Sequence, residues 1–200
     1  SISAYLNLGP SERAITSLPF CYSYGLSVLN SHLHAGGSLL VTDASAVRPE
    51  LWQSARQYEC TSFSGVPYSY EILRRVGFEK LDLPHLRTLT QAGGKLPAAL
   101  VMHFQRLMAA RGGRLVVMYG QTEATARMTY LPPEYALQKP DSIGVAIPAG
   151  SLHVMDGARE LYAPLARGEL VYHGPNVMLG YMQVDKPGEF SYRPNLMVLQ

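Results

Sequence analysis

Apolar and polar residues alternate along the first 130 residues in a pattern that predicts short strands separated by helices. Strand-like apolar segments lie at residues 39–42, 61–66, 86–90 and 114–119. Segments with helical periodicity lie at residues 26–35, 51–58, 68–76 and 98–110. Strands and helices that alternate over short connections are typical of a mostly parallel sheet flanked by helices, so we predict the α/β class.

The pattern changes at about residue 131. Pro132 and Pro133 open a stretch that is rich in proline and glycine, and strand-like segments follow at residues 151–155, 169–173 and 178–182. Turn residues separate these segments, which favours a small antiparallel β subdomain. We therefore predict an α/β subdomain over residues 1–130 and an incomplete β-rich subdomain over residues 131–200.

Composition and charge exclude several classes of protein. Hydrophobic residues make up 47% of the chain and charged residues 16%, and the net charge of +2 comes from scattered basic side chains. A nucleic-acid partner and a membrane span are therefore not expected, because there is no basic stripe and no apolar run of about 18 residues. Cys21 and Cys60 lie among apolar residues and are predicted to be buried free thiols, which fits a cytoplasmic location. The histidines form no metal-binding pattern; four of them, His85, His103, His153 and His173, are isolated along the chain.

Glycine-containing segments follow several of the predicted strands. In an open α/β sheet, ligands bind beyond the carboxyl ends of the strands, so residues 21–25, 65–67, 92–94 and 119–120 are candidate ligand-binding segments. The richest in chemistry begins at Gly120, where a backbone without a side chain lets a ligand approach closely. The Thr122 hydroxyl that follows can hydrogen-bond a phosphate oxygen, and the Glu123 carboxylate can hold Mg²⁺. On these residues alone, a polar turn with a solvated glutamate is the simpler interpretation.

The other segments favour a ligand site. Residues 119–125, Tyr-Gly-Gln-Thr-Glu-Ala-Thr, resemble the Tyr-Gly-x-Thr-Glu signature of the adenylate-forming superfamily. Further segments that resemble those of the superfamily, in the same order, are residues 18–26, 66–67, 92–97, 142–148 and 168–181. Acyl- and aryl-coenzyme A synthetases, peptide-synthetase adenylation domains and luciferases form this superfamily, and the resemblance covers about residues 10–182.

The resemblance implies a reaction in which a carboxylic acid is activated with ATP to an acyl-adenylate. The thiol of coenzyme A, or the phosphopantetheine of an acyl carrier protein, then displaces AMP. The resemblance also implies catalytic roles for Thr122, at the α-phosphate, and for Glu123, as the ligand of Mg²⁺. Tyr119 would lie against the adenine ring.

Other nucleotide-binding positions follow from the same resemblance. Gly93 and Gly94 would line the wall between the nucleotide and the acyl group, and Gly120 and Gln121 would complete the nucleotide site. The block at residues 168–181 is more simply explained as structural, because its glycines suit turns between strands.

A substrate pocket is implied at Tyr22, Tyr24 and Gly25. Residues 18–32 include no acidic side chain. An ammonium group without a carboxylate partner is costly to bury, so a simple carboxylic acid is favoured over an α-amino acid.

Three pieces of the superfamily pattern do not occur in the sequence: a phosphate loop ending in Pro-Lys-Gly, a Thr-Gly-Asp after Tyr181, and a lysine-bearing C-terminal domain. We therefore expect the 200 residues alone to be inactive and to self-associate. A degenerate nucleotide-binding or scaffold module and an amino-acid-activating adenylation domain stay open as alternatives. A dinucleotide-binding oxidoreductase has little support, because no Gly-x-Gly-x-x-Gly follows a strand.

Overall fold

The computed structural model describes residues 1–181 and the backbone of residues 196–199. The α-helices of this part of the chain are α1 (Ile2–Tyr5), α2 (Ser23–His34), α3 (Pro49–Gln57), α4 (Pro67–Arg75) and α5 (Ala98–Ala110). The strands are β1 (Arg13–Ile15), β2 (Ser38–Leu40), β3 (Ser62–Gly65), β4 (Thr88–Gln91), β5 (Arg114–Tyr119), β6 (Thr129–Leu131), β7 (Val145–Ala146), β8 (Ser151–Asp156), β9 (Arg159–Glu160), β10 (Glu169–His173) and β11 (Leu196–Leu199). Short 3₁₀ helices lie at Phe78–Lys80, Thr122–Ala124 and Pro133–Tyr135.

The larger sheet has the strand order β2-β1-β3-β4-β5-β6-β7. Strands β1 to β5 are parallel to one another, whereas β6 and β7 are antiparallel to their neighbours. The predicted α/β class is confirmed. The larger sheet continues to Ala146, and the proposed division of the chain near residue 130 stays a prediction.

Helices cover both faces of the parallel strands. Phe63, Leu89 and Leu115 point to the face that packs against α3, α4 and α5. On the opposite face, Val116 and Met118 pack with residues of α1, α2 and the segment between α1 and β1. Alternate residues of one strand therefore serve two separate apolar clusters, as expected for a sheet buried on both sides.

The smaller sheet is antiparallel and has the strand order β11-β10-β8-β9, which confirms the predicted β-rich part. The prediction of a strand at residues 178–182 is wrong for residues 178–181, and Met182 lies outside the described residues. The edge strand beside β10 is instead formed by Leu196–Leu199.

Several short elements were not predicted. Strand β1 is three residues long and begins with an arginine, so it lacks the apolar run that marks a strand, although it pairs with both β2 and β3. Its neighbours in the sheet, and not its own composition, hold it in place. Strands β6 and β7 are three and two residues long and were missed for the same reason.

One expectation about a single residue is wrong. Cys21 is exposed, whereas Cys60 is buried as expected, and burial raises the pKa of its thiol to about 11. His153 and His173, which lie apart along the chain, come together in the fold: their ring centroids are 5.1 Å apart, and His153 Nδ1 lies 2.5 Å from Glu160 Oε1. Among the described residues, no three or more His, Cys, Asp or Glu side chains are grouped so that they could hold a metal ion. No helix in the same residues has the length and apolar character to cross a membrane.

Candidate functional site

The glycine pair after β4 forms a loop that only glycine allows. Gly93 has φ +81° and Gly94 has φ +157°. A Cβ atom on Gly93 would collide with the Tyr22 hydroxyl, and a Cβ on Gly94 would lie 3.1 Å from Pro67 Cγ. The loop therefore passes closely between the beginnings of α2 and α4 at the carboxyl end of the sheet.

The loop after β5 turns back on itself within eight residues. The backbone amide of Ala126 donates to the carbonyl of Gln121 over 3.0 Å, and the amide of Met128 donates to the carbonyl of Tyr119 over 2.9 Å. A Cβ on Gly120 would collide with the Ala126 carbonyl, so this turn also requires glycine. The short 3₁₀ helix at the tip carries Thr122 and Glu123 beyond the end of the strand.

These two loops share one cavity. Its volume is about 280 Å³, and its wall combines the two predicted glycine segments with residues 140–143, which follow β6 along the chain. The lining residues are Gln91, Gly93, Gly94, Lys95, Leu96, Val117, Met118, Tyr119, Gly120, Pro140, Asp141, Ser142 and Ile143. Four residues predicted for the nucleotide site, from the ends of two neighbouring strands, are thus brought together.

Thr122 does not line this cavity. Its side chain lies near α2, and this contact was not predicted from the sequence. Its side chain is exposed, and its Oγ1 lies 3.2 Å from Ser23 Oγ in the first turn of α2. Gln121, its neighbour, contributes its backbone carbonyl to the turn through hydrogen bonds from Ala124 and Ala126. Two hydroxyl groups therefore lie close together beside the turn that follows Gly120.

Glu123 is held as a carboxylate by the segment that follows β10. The Tyr181 hydroxyl donates to Glu123 Oε1, and this hydrogen bond lowers the pKa of the Glu123 carboxyl below its usual value. The backbone amide of Met178 donates to the Glu123 carbonyl over 2.7 Å. A half-buried, ionised carboxylate in this position has the donor chemistry of a Mg²⁺ ligand, since Mg²⁺ is commonly held by one or two carboxylates together with phosphate oxygens.

Asn176 ties the same loop to the smaller sheet. Its Nδ2 donates to the carbonyls of Ala124 and Arg127 over 2.7 and 2.8 Å. Its Oδ1 accepts from the Tyr172 hydroxyl over 2.8 Å, and its own carbonyl accepts from Thr125 Oγ1 over 2.8 Å. Three hydrogen bonds from Asn176 therefore hold the loop that carries Thr122 and Glu123, and a fourth joins Asn176 to β10.

The predicted substrate-pocket residues occupy different environments. Tyr22 is half-buried, and its hydroxyl lies against Gly93. Tyr24 is 2% exposed and its hydroxyl is 2.8 Å from Thr90 Oγ1, while the Arg127 guanidinium carbon lies 4.0 Å from its ring centroid. A Cβ on Gly25 would collide with the Pro19 carbonyl, so this glycine allows α2 to begin against the preceding turn. Tyr22 is thus the member that reaches the glycine loop, and Tyr24 is packed in the core.

Sequence reasoning missed four residues of this region: Ser23, Gln91, Arg127 and Asn176. Ser23 lies inside a recognised segment and Asn176 inside another, but their partners are 99 and 52 residues away in sequence. Gln91 immediately precedes the Ala92-Gly93-Gly94 motif. Its side chain is fully buried, which the sequence pattern does not show.

Comparison with known proteins agrees with this arrangement. The family model described as AMP-binding enzyme matches residues 1–182, and the chain belongs to that family. An oxalate–CoA ligase of Arabidopsis thaliana is 29% identical over 186 residues, which cover 90% of this chain and 35% of the relative. A feruloyl-CoA synthase of Amycolatopsis is 32% identical over 178 residues, which cover 88% of this chain and 35% of the relative.

The fold is also that of solved relatives. The o-succinylbenzoate CoA synthetase of Bacillus subtilis, in complex with its acyl-adenylate intermediate, matches with a TM-score of 0.80 and 23% identity. That match covers 98% of this chain and 40% of the synthetase. The chain therefore spans about a third of the length of the curated relatives named above.

Proposed function

We propose that this chain supplies nucleotide-binding and acyl-binding parts of an AMP-forming acid–thiol ligase. The observation that carries the proposal is the shared cavity, which joins the Gly93–Gly94 loop to the Tyr119–Gly120 turn across two neighbouring strand ends. Thr122 and Glu123 follow Gly120 by two and three residues in the same turn. Membership of the AMP-binding enzyme family supports the same assignment.

The nucleotide base fits the cavity by size and by chemistry. A volume of about 280 Å³ lies just below the roughly 300–1,000 Å³ typical of small-molecule sites and suits a base with part of its sugar. Tyr119 offers an aromatic face, while Gly93, Gly94 and Gly120 let the backbone approach the ligand closely. The Gln121 backbone carries the chain from this cavity towards the phosphates.

Thr122 and Glu123 would act on the phosphates. The Thr122 hydroxyl, beside that of Ser23, would donate to an oxygen of the α-phosphate as negative charge develops there. Glu123 would hold Mg²⁺, which neutralises phosphate charge when bound. A carboxylate oxygen of the acid then attacks the α-phosphorus, pyrophosphate leaves, and the acyl-adenylate forms. In the second step a thiol attacks the acyl carbon and AMP leaves.

The acid would lie beside Tyr22, on the far side of the glycine loop from the base. Residues 18–32 include no carboxylate that could pair with a substrate ammonium, and burying an unpaired ammonium is costly, which favours a carboxylic acid without one. The names of the relatives, which activate oxalate and a feruloyl group, support a simple carboxylic acid.

Coenzyme A is the favoured thiol because those relatives are CoA ligases. The phosphopantetheine of an acyl carrier protein is the alternative acceptor. A cytoplasmic location and self-association stay predictions.

Acid-dependent exchange of labelled pyrophosphate into ATP by the complete protein tests the proposal. A panel of aliphatic acids, aromatic acids and α-amino acids would identify the substrate class, and we expect exchange with a member of the first two. Glu123→Gln removes the charge that would hold Mg²⁺, so we expect a loss of about 100-fold or more in kcat/KM. Glu134→Gln, an exposed glutamate on another 3₁₀ helix, is the matched control and should keep full activity.

The outcomes separate the alternatives. AMP binding without exchange for any acid would favour the scaffold module. Exchange with α-amino acids alone would identify an amino-acid-activating domain. Equal activity of Glu123→Gln and Glu134→Gln would exclude the metal role of Glu123.

A further inference from the structure

Arg127 is a cation enclosed by the protein. It lies just after the turn that follows Gly120 and is 2% exposed. Its Nε donates to Met118 Sδ over 3.2 Å, and its Nη1 donates to the Ala126 carbonyl over 3.3 Å. The guanidinium carbon lies 4.0 Å from the centroid of the Tyr24 ring, which is well within the range of a cation–π contact. One side chain therefore joins β5, the turn and α2.

The charge of Arg127 is not balanced by a carboxylate within residues 1–181, where it forms no ion pair. The Tyr5 and Tyr24 hydroxyls supply no negative charge at pH 7, because burial raises the pKa of both, that of Tyr5 to about 12. Burying a cation without an anionic partner costs free energy, and an apolar side chain of similar length would avoid that cost. Stability alone therefore does not explain an arginine at this position.

The two elements that Arg127 joins each carry a hydroxyl of the proposed phosphate site. Tyr24 follows Ser23 in the first turn of α2, and the backbone amide of Ala126 closes the turn that carries Thr122. Ser23 Oγ and Thr122 Oγ1 are 3.2 Å apart in an exposed position, where water competes for both groups, so this contact alone holds the elements together only weakly. The buried contact of Arg127 with Tyr24 joins the same two elements away from water.

We propose that Arg127 is a positioning residue that holds Thr122 beside the α-phosphate by fixing the turn against α2. The inference rests on the proposed function, because it takes Thr122 as the hydroxyl that contacts the phosphate. Arg127 itself does not touch the nucleotide and acts through the position of Thr122. A displacement of about 1 Å in such a group is enough to cost about 100-fold in rate. Loss of Arg127 should therefore weaken the contacts of the phosphate and leave those of the base in place.

The test compares AMP with adenosine, which differ only in the phosphate. Calorimetry on the complete protein with Mg²⁺ gives both affinities, and their ratio reports the phosphate contacts independently of the stability of the protein. We expect the wild-type protein to prefer AMP by about 10-fold or more, the effect of one hydrogen bond to a charged group. Thr122→Val, which removes the hydroxyl, should lower this ratio by about 10-fold.

Arg127→Met removes the charge and the planar group while keeping an apolar side chain of similar length. We expect the AMP-to-adenosine ratio to fall by about 5-fold or more, with the affinity for adenosine within about twofold of wild type. Adding Thr122→Val to Arg127→Met should lower the ratio no further than the stronger single variant does, because both changes remove the same contact. Arg127→Lys keeps the charge without the planar group and should give an intermediate ratio.

Arg111→Met is the matched control. Arg111 also lies over an aromatic ring, with its guanidinium carbon 5.5 Å from the Phe78 centroid, and it donates to the Glu79 carbonyl beyond the C-terminal end of α5. This variant should keep the wild-type ratio. Because the Arg127 cation has no anionic partner within residues 1–181, Arg127→Met should unfold at the wild-type temperature or above. The nucleotide ratio decides the claim whatever the melting temperature, and if Arg127→Met does not fold, Arg127→Lys is measured in its place.

The results distinguish the two levels of the claim. A ratio within about twofold of wild type in the Arg127 variants would overturn the role of Arg127 and leave the proposed function standing. Effects of Arg127→Met and Thr122→Val that multiply in the double variant would overturn it in the same way, because independent contacts add in free energy. A wild-type protein that binds AMP and adenosine equally, or binds neither, would overturn the phosphate role of Thr122 and the inference together.

Discussion

Replacing Asn176 with alanine would release the loop that carries Thr122 and Glu123. The side chain donates to the carbonyls of Ala124 and Arg127 and accepts from the Tyr172 hydroxyl. Each hydrogen bond of this kind contributes a net of about 0.5–1.5 kcal/mol, so the loss of the two that hold the loop corresponds to about 1–3 kcal/mol. The loop should therefore open more often while the parallel strands keep their stability.

Amide hydrogen exchange measures this effect directly. The amides of Ala126 and Met128 are bonded within the turn, and a loss of about 1–3 kcal/mol accelerates their exchange by about 5- to 150-fold. Amides of β4 should exchange at the wild-type rate. Asn30→Ala, at an exposed position of α2, is the control for loss of an asparagine and should leave all these rates unchanged. Exchange of the two loop amides within about threefold of wild type in Asn176→Ala would refute the argument.

Three further predictions concern neighbouring groups. Gly93→Ala places a side chain at φ +81° against the Tyr22 hydroxyl, so it should destabilise the protein by about 1–3 kcal/mol. Adding Tyr22→Phe to the same chain removes the hydroxyl and should recover part of that stability, as measured by thermal unfolding. Burial lowers the pKa of His32, so its neutral form stabilises the fold above about pH 6.5, and this contribution is lost as the pH falls. His32→Gln should therefore reduce the change in melting temperature between pH 7 and pH 5. The Tyr181 hydroxyl lowers the pKa of the Glu123 carboxyl, so Tyr181→Phe should reduce the melting temperature at pH 7 and have progressively less effect below about pH 4.3; a constant difference across that range would contradict the ionic origin.

The parallel part of the fold could be predicted because its strands and helices carry strong local patterns. Helix α5 has its predicted bounds, since Leu100, Val101, Phe104 and Met108 form one buried stripe and the helix ends just before Gly112 at φ +69°. Strand β5 also has its predicted bounds, because both of its faces pack against apolar clusters and its apolar run is continuous. Strand β1 could not be predicted, because three residues have too little local pattern and pairing with two neighbours decides their conformation.

The site was predictable where glycine marks a backbone requirement. Gly93, Gly94 and Gly120 occupy positions that a side chain would strain or block, and their placement at strand ends follows from the alternating pattern. Residues whose role depends on distant partners were not predictable. Asn176 contacts a loop about 50 residues away in sequence, and the Arg127 guanidinium lies over a ring about 100 residues away.

The central claim is that the two glycine loops and the Thr122–Glu123 turn bind one nucleotide. A crystal structure of the complete protein with AMP and Mg²⁺ tests it most directly. The account predicts the base in the cavity against Tyr119 and a phosphate oxygen within hydrogen-bonding distance of Thr122 Oγ1. It also predicts that the Glu123 carboxylate binds the metal ion. A nucleotide bound elsewhere, with this cavity closed and Thr122 more than one water molecule away from the phosphate, would contradict it.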